Sequence, residues 1–135
     1  MVYIEHLTLQ TEKESVISIT ETVQEVLKRS GIQNGILVVE APHSTVSLMA
    51  TTDHGYRVLE DLSDETKRIV PSRIDFKHEE SPVDAAGHIK SAIFGASLSM
   101  IVQNGHLVSE NKRGILYLEH DGPRKRKYSV CVMGE

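Results

Sequence analysis

Two tight chain reversals, Asn104-Gly105 and Asp121-Gly122-Pro123, fall in the last third of the sequence, each between short apolar segments. Asn-Gly flanked by alternating residues is a strong hairpin signal, because both central positions of a type I′ turn need positive φ. Leu98, Met100 and Val102 alternate ahead of the first reversal, and His106 to Ser109 returns from it. Gly114 to His120 is an apolar strand leading into the second, and Lys127 to Met133 runs back. Strands joined by so few residues pair antiparallel, since a parallel pair needs a long crossover. A doubly wound α/β fold is thereby excluded, and the expected class is α+β, mostly antiparallel sheet packed with about three helices.

The first half supplies the remaining elements. Val2 to Gln10 reads as a strand with imperfect alternation and a bulge near His6, and Ser15 to Ile19 as a short second strand. Ser18 and Glu21 have capping-box spacing, with Thr20 a rival N-cap, before a helix whose Ile19, Val23, Val26 and Leu27 form an apolar stripe. Lys28 and Arg29 suit its negative end and Gly31 its stop. Asn34-Gly35 turns into the apolar run Ile36 to Val39, Pro42 interrupts, and Thr45 to Thr52 makes the next strand. Asp53 to Val70 reads as a helix with Val58, Leu59, Leu62 and Ile69 facing inward and a break near Ser63 to Glu65. A polar loop, Pro71 to Pro82, precedes the last helix, for which Asp84 is the expected N-cap. His88 lies four residues on, so it projects from the same face as Asp84. Ala85, Ala86, Gly87, Ala92 and Gly95 are all small, which predicts close burial of this helix against a sheet; an interior glycine otherwise costs about 1 kcal/mol.

A chain of 135 residues without repeat or linker makes one domain, 1–135, and buries about two-thirds of its unfolded surface. Fifteen basic and nineteen acidic residues leave a net charge of −4, which argues against nucleic acid as partner, as does the scarcity of aromatics for base stacking. No apolar run approaches a membrane span, and the start lacks a basic-then-apolar signal. The single cysteine, Cys131, cannot form an internal disulfide; a reducing cytoplasm is the expected location, and a strand core the expected place of Cys131 between Val130 and Val132.

Among seven histidines, His43, His78 and His88 each sit at a strand end, loop or helix start beside a carboxylate or hydroxyl. Three imidazoles can hold a divalent metal, zinc or magnesium, with Asp61 or Asp84 orienting a ring, although their spacing matches no short metal motif. The other reading is three separate rings bonded to backbone or solvent. His54, His106 and His120 are weaker candidates, with His106 expected to be solvated after its turn and His6 to decorate a strand, and none of the four is expected to act as a ligand. Arg124 and Arg126 leave the second reversal on one face, Lys125 and Lys127 on the other; an arginine pair there can hold phosphate in a fork, or can guard a sheet edge against aggregation. Ser44 and Thr45 add hydroxyls beside His43, but neighbours on an extended chain point apart, which argues against a Ser–His nucleophile.

The segments PHSTVSL, DAAGHIK with FGAS, NGHL, and LEHDGPRKR occur in this order over essentially the whole chain, and together they resemble the YjbQ-like family of uncharacterised proteins. The resemblance implies an α+β domain that assembles as a homotrimer through its sheets. It also implies a weak or secondary thiamine-phosphate synthase activity, joining a pyrimidine diphosphate to a thiazole phosphate and expelling pyrophosphate; the alternative is a non-catalytic homotrimer in which the same residues bind a metal or a small anion without turnover. On that resemblance His43 and His88 are the catalytic candidates; Arg124, Arg126 and Ser44 contact phosphate; and His43, His78 and His88 are the metal ligands. Asp61 matches an acidic position on the second helix. The chain departs from the family pattern at Thr51 and Thr52, where Asn-Glu is usual, at Asp84 and Gly87, and at Glu110-Asn111-Lys112-Arg113 in place of a GTWQ segment. The added Lys112 and Arg113 imply a changed anion specificity.

Overall fold

The computed structural model describes residues 1–52, 56–72, 76–77, 81–110 and 113–135. Its elements run β1 (Val2–Gln10), β2 (Val16–Ser18), α1 (Thr20–Ser30), β3 (Gly35–Glu40), β4 (Val46–Thr52), α2 (Tyr56–Ile69), α3 (Pro82–Phe94), β5 (Ser97–Gln103), β6 (His106–Leu107), β7 (Arg113–Glu119) and β8 (Lys125–Gly134). They form two sheets, β1-β8-β3-β5-β6 and β2-β7-β4, and every strand pair is antiparallel. The α+β class is the observed one, but only the first reversal closes a hairpin, β5 with β6; Asp121-Gly122-Pro123 instead carries the chain from β7 in the small sheet to β8 in the large one, and those two strands do not pair.

The inward residues of the larger sheet, among them Leu37, Val39, Met100, Val102, Tyr128, Val130 and Val132, meet Val46, Leu48, Ile115 and Tyr117 of the smaller one. Val23, Val26 and Leu27 of α1 pack into the same core. Each such side chain contributes about 1.5–3 kcal/mol by leaving water. β7 is buried on both sides, from Gly114 through Glu119. Its Ile115 and Tyr117 point into the intersheet core, so Leu116, Leu118 and the following His120 point the other way, beneath the small-residue face of α3.

Several local expectations needed correction. β1 pairs with β8 without a bulge, Val2 to Met133 through Gln10 to Lys125, with every second residue exposed. α1 starts at Thr20 with Ile19 as N-cap and no side-chain cap, because Thr20 Oγ1 instead accepts the Ile115 N–H at 2.9 Å and ties the helix start to β7. Ser81, not Asp84, caps α3: its Oγ accepts the Asp84 N–H at 3.3 Å, with Pro82 in the first turn. α2 is continuous through Ser63 to Glu65, and Ile69 is 62% exposed rather than inward; Thr66 takes the buried place. Cys131 is half-buried on the outer face of the large sheet, since the register turns Val130 and Val132 inward. The expected helix start at Asp53, the histidines His54 and His78, and Asn111 and Lys112 lie outside the described residues.

Gly87 explains itself. A Cβ there would lie 3.1 Å from the His120 carbonyl oxygen and 3.4 Å from the Thr45 Cβ, so the glycine lets α3 seat directly on the ends of β4 and β7. That seating sets the position of Asp84 and His88.

Candidate functional site

Where α3, the segment before β4 and the 121–124 turn converge, a polar cleft of about 450 Å³ opens, lined by Pro42, His43, Ser44, Thr45, Asp84, His88, Arg124 and Arg126. Its size is that of a small-molecule site. The cleft unites His43, His88, Ser44, Arg124 and Arg126, five of the six residues singled out in the sequence; the sixth, His78, is outside the described residues.

His43 sits in the break that Pro42 imposes between β3 and β4. Its Nε2 accepts the Lys127 backbone N–H at 2.9 Å, so the ring proton resides on Nδ1. Burial, then the charge of Arg126, pushes His43 below its ordinary value, and it stays neutral near pH 7. A neutral imidazole with Nδ1–H is a hydrogen-bond donor, not a base. On α3, His88 Nε2 lies 3.5 Å from Asp84 Oδ2, one helical turn away. The other oxygen of Asp84 lies 3.9 Å from Arg124 Nη2, which in turn donates to Asp121 Oδ2 at 2.7 Å. Asp84 therefore links an imidazole and a guanidinium at the mouth of the cleft. Arg124 is about half exposed and has further N–H donors to offer an anion.

The two arginines differ sharply. Arg126 is 3% exposed, and its guanidinium donates to Glu119 through both Nε and Nη2 and to Thr45 Oγ1 at 2.7 Å. Burial alone would raise the Glu119 carboxyl, but the hydrogen bonds from Arg126 and Thr11 outweigh it and hold the group below the usual carboxylate range. Arg126 thus forms the floor of the cleft with its charge already compensated. Ser44 is exposed at the wall, and its neighbour Thr45 is turned inward onto Arg126.

No cluster of three or more His, Cys, Asp or Glu groups among the described residues is close enough to hold a metal ion. His43 in particular has spent its free lone pair on Lys127. The described residues do not by themselves fit a metal site. Asp61 is exposed on α2 and does not line the cleft; Asp84 is the carboxylate that faces a histidine. His6 is on the outer face of β1, 2.7 Å from Ser129 Oγ, and His106 is exposed on β6. Glu119 went unassigned in the sequence, although a carboxylate ending the apolar strand GILYLE can only be buried with a partner.

The family model for UPF0047 proteins of YjbQ-like type matches residues 5–135. A UPF0047 protein of Methanothermobacter thermautotrophicus is 33% identical over 135 residues, covering 99% of this chain and 94% of that protein. The UPF0047 protein YugU of Bacillus subtilis is 31% identical, covering 92% and 93%. Among solved structures, a YbjQ-like protein of unknown function from Sulfolobus solfataricus superposes with a TM-score of 0.93 at 29% identity, covering 100% of this chain and 99% of that one. A hypothetical protein from Aeropyrum pernix superposes at 0.92 with 30% identity, covering 98% and 99%.

Proposed function

Because the chain belongs to the UPF0047 YjbQ-like family, we propose that its cleft binds a small phosphorylated molecule and catalyses a group transfer in which pyrophosphate leaves. The observation that carries this reading is the linked set at the mouth of the cleft: Arg124 Nη2 3.9 Å from Asp84, and Asp84 3.5 Å from His88. Arg124 takes the phosphate charge through the donors that Asp121 leaves unused. His88, oriented by Asp84, gives a proton to the departing phosphate oxygen, and His43 Nδ1–H and the Ser44 hydroxyl steady the others. Arg126 contributes shape and field from below rather than a free charge.

The finer form of the reading is a secondary thiamine-phosphate synthase. A nitrogen of a thiazole phosphate forms a bond to the methylene carbon of a pyrimidine diphosphate, the carbon–oxygen bond breaks, and pyrophosphate carries off the electron pair. A zinc or magnesium ion has no part in the steps of this reading, and elemental analysis of purified protein tests for one. The assembly we propose is a homotrimer built through the outer face of the large sheet, working in the cytoplasm, where Cys131 stays a thiol. No helix among the described residues is long and apolar enough to cross a membrane.

Purified protein incubated with both precursors should form product, and a His88→Ala variant should lose about a hundredfold or more of that rate, the usual range for removing a general acid. Equal rates from the two proteins would remove His88 from the reaction.

A further inference from the structure

Glu119 stands beneath the turn that carries Arg124, and its carboxylate holds that turn from the inside. It accepts the Asp121 N–H at 3.2 Å and the Thr11 hydroxyl at 2.6 Å, in addition to Arg126. Thr11 passes the constraint on: its Oγ1 accepts the Arg124 N–H at 3.1 Å, and its own N–H donates to the Arg124 carbonyl at 2.9 Å. Gly122, with φ of +74°, wraps the chain around the carboxylate so closely that a Cβ there would lie 2.9 Å from the Glu119 Cγ. One buried side chain thus fixes both ends of the turn, the amide of Asp121 at the start and, through Thr11, both polar backbone groups of Arg124.

We propose that Glu119 is the positioning residue of the cleft, setting where the Arg124 guanidinium meets a phosphate. The role rests on the phosphate reading given above and deepens it. Glu119 touches no ligand; it acts through Thr11 and Asp121 on Arg124. A purely architectural ion pair would keep the protein folded without deciding how tightly an anion is held.

The test has two readouts on folded protein, monitored by thermal melting. Glu119→Asp keeps the charge opposite Arg126 but draws the carboxylate back from the turn. Thr11→Val removes the hydroxyl relay and leaves both charges, so it serves where the first variant folds poorly. Hydrogen exchange, which needs no ligand, should show the Asp121 and Arg124 amides exchanging several-fold faster in either variant while α3 amides keep their protection. Titration with inorganic pyrophosphate should show about a tenfold loss of affinity in each, as for one charge-assisted hydrogen bond lost. In an Arg124→Ala background the same changes should cost nothing further, since the residue they act through is gone. Unchanged exchange at the turn overturns the proposal, and so does an affinity loss that persists undiminished without Arg124. Wild-type protein that fails to bind pyrophosphate, or an Arg124→Ala variant that binds as well, would instead sink the phosphate reading, and exchange would still decide whether Glu119 holds the turn.

Discussion

His120 illustrates how a titratable residue can be spent on stability instead of chemistry. It is 3% exposed beneath α3, with Nε2 at 2.7 Å from Ser47 Oγ and its ring tilted against Phe94. Burial, reinforced by the nearby Lys90 charge, pulls its pKa down to about 4 from an ordinary 6.5. The unfolded chain therefore binds this proton first as pH falls. Stability from keeping the ring neutral is complete above about pH 6.5 and drains away down to about pH 4, some 3 kcal/mol in all. Urea unfolding across that range should show the slope, and a His120→Gln variant should lack that portion of it; an unchanged slope would place the acid sensitivity elsewhere. At this scale the sequence was legible wherever a residue's type announced chemistry: His43, His88 and Arg124 do line one cleft. It was not legible where a role depends on a long-range partner. Arg126 looked equivalent to Arg124 until Glu119, seven residues earlier but across the sheet turn, was seen to hold it.

Among the elements, α3 carries the site, and its fit depends on Gly87. Helix propensity alone says Gly87→Ala should stabilise by about 1 kcal/mol. The backbone carbonyl of His120, 3.1 Å from where that Cβ would go, opposes this, so we expect no gain from alanine. Gly87→Leu should destabilise by about 1–3 kcal/mol through overpacking and lift α3 from the sheet. Thermal denaturation checks both, and an alanine variant more stable than wild type would show that the helix has slack. The small-residue face of α3 was readable from sequence as close packing, and so were the β5–β6 hairpin and the Gly31 stop; that the second reversal crosses from one sheet to the other was not. The helix starts were not. Ser18, Thr20 and Asp84 all have the side chains of caps, yet β7 claims Thr20 and Ser81 supplies the cap that Asp84 receives. Local pattern lists the candidates, and tertiary hydrogen bonding selects among them.

For the molecule as a whole, the outer face of the large sheet carries the information. The register aligns Val2, Met133, Ile36 and Ile101 in one row across four strands, with Ile4, Cys131 and Val38 in the next. Exposures of 63% for Val2, 58% for Ile101 and 53% for Ile4 leave an apolar surface of the kind that partner chains cover. The homotrimer proposed above would bury it. Ile36→Glu should then yield smaller particles in light scattering at matched concentration, with near-native circular dichroism; an unaltered mass would move the interface to another face. This face was latent in the sequence as alternation, but only the pairing register shows that the exposed apolar residues of separate strands fall side by side.

The central claim is that the cleft holds phosphate through Arg124, and calorimetric titration of inorganic pyrophosphate into wild-type and Arg124→Ala protein addresses it directly. The account predicts saturable binding in the wild type and a loss of about tenfold or more in the variant, the value of one charge-assisted contact. Equal affinities, or no binding by either protein, would contradict it.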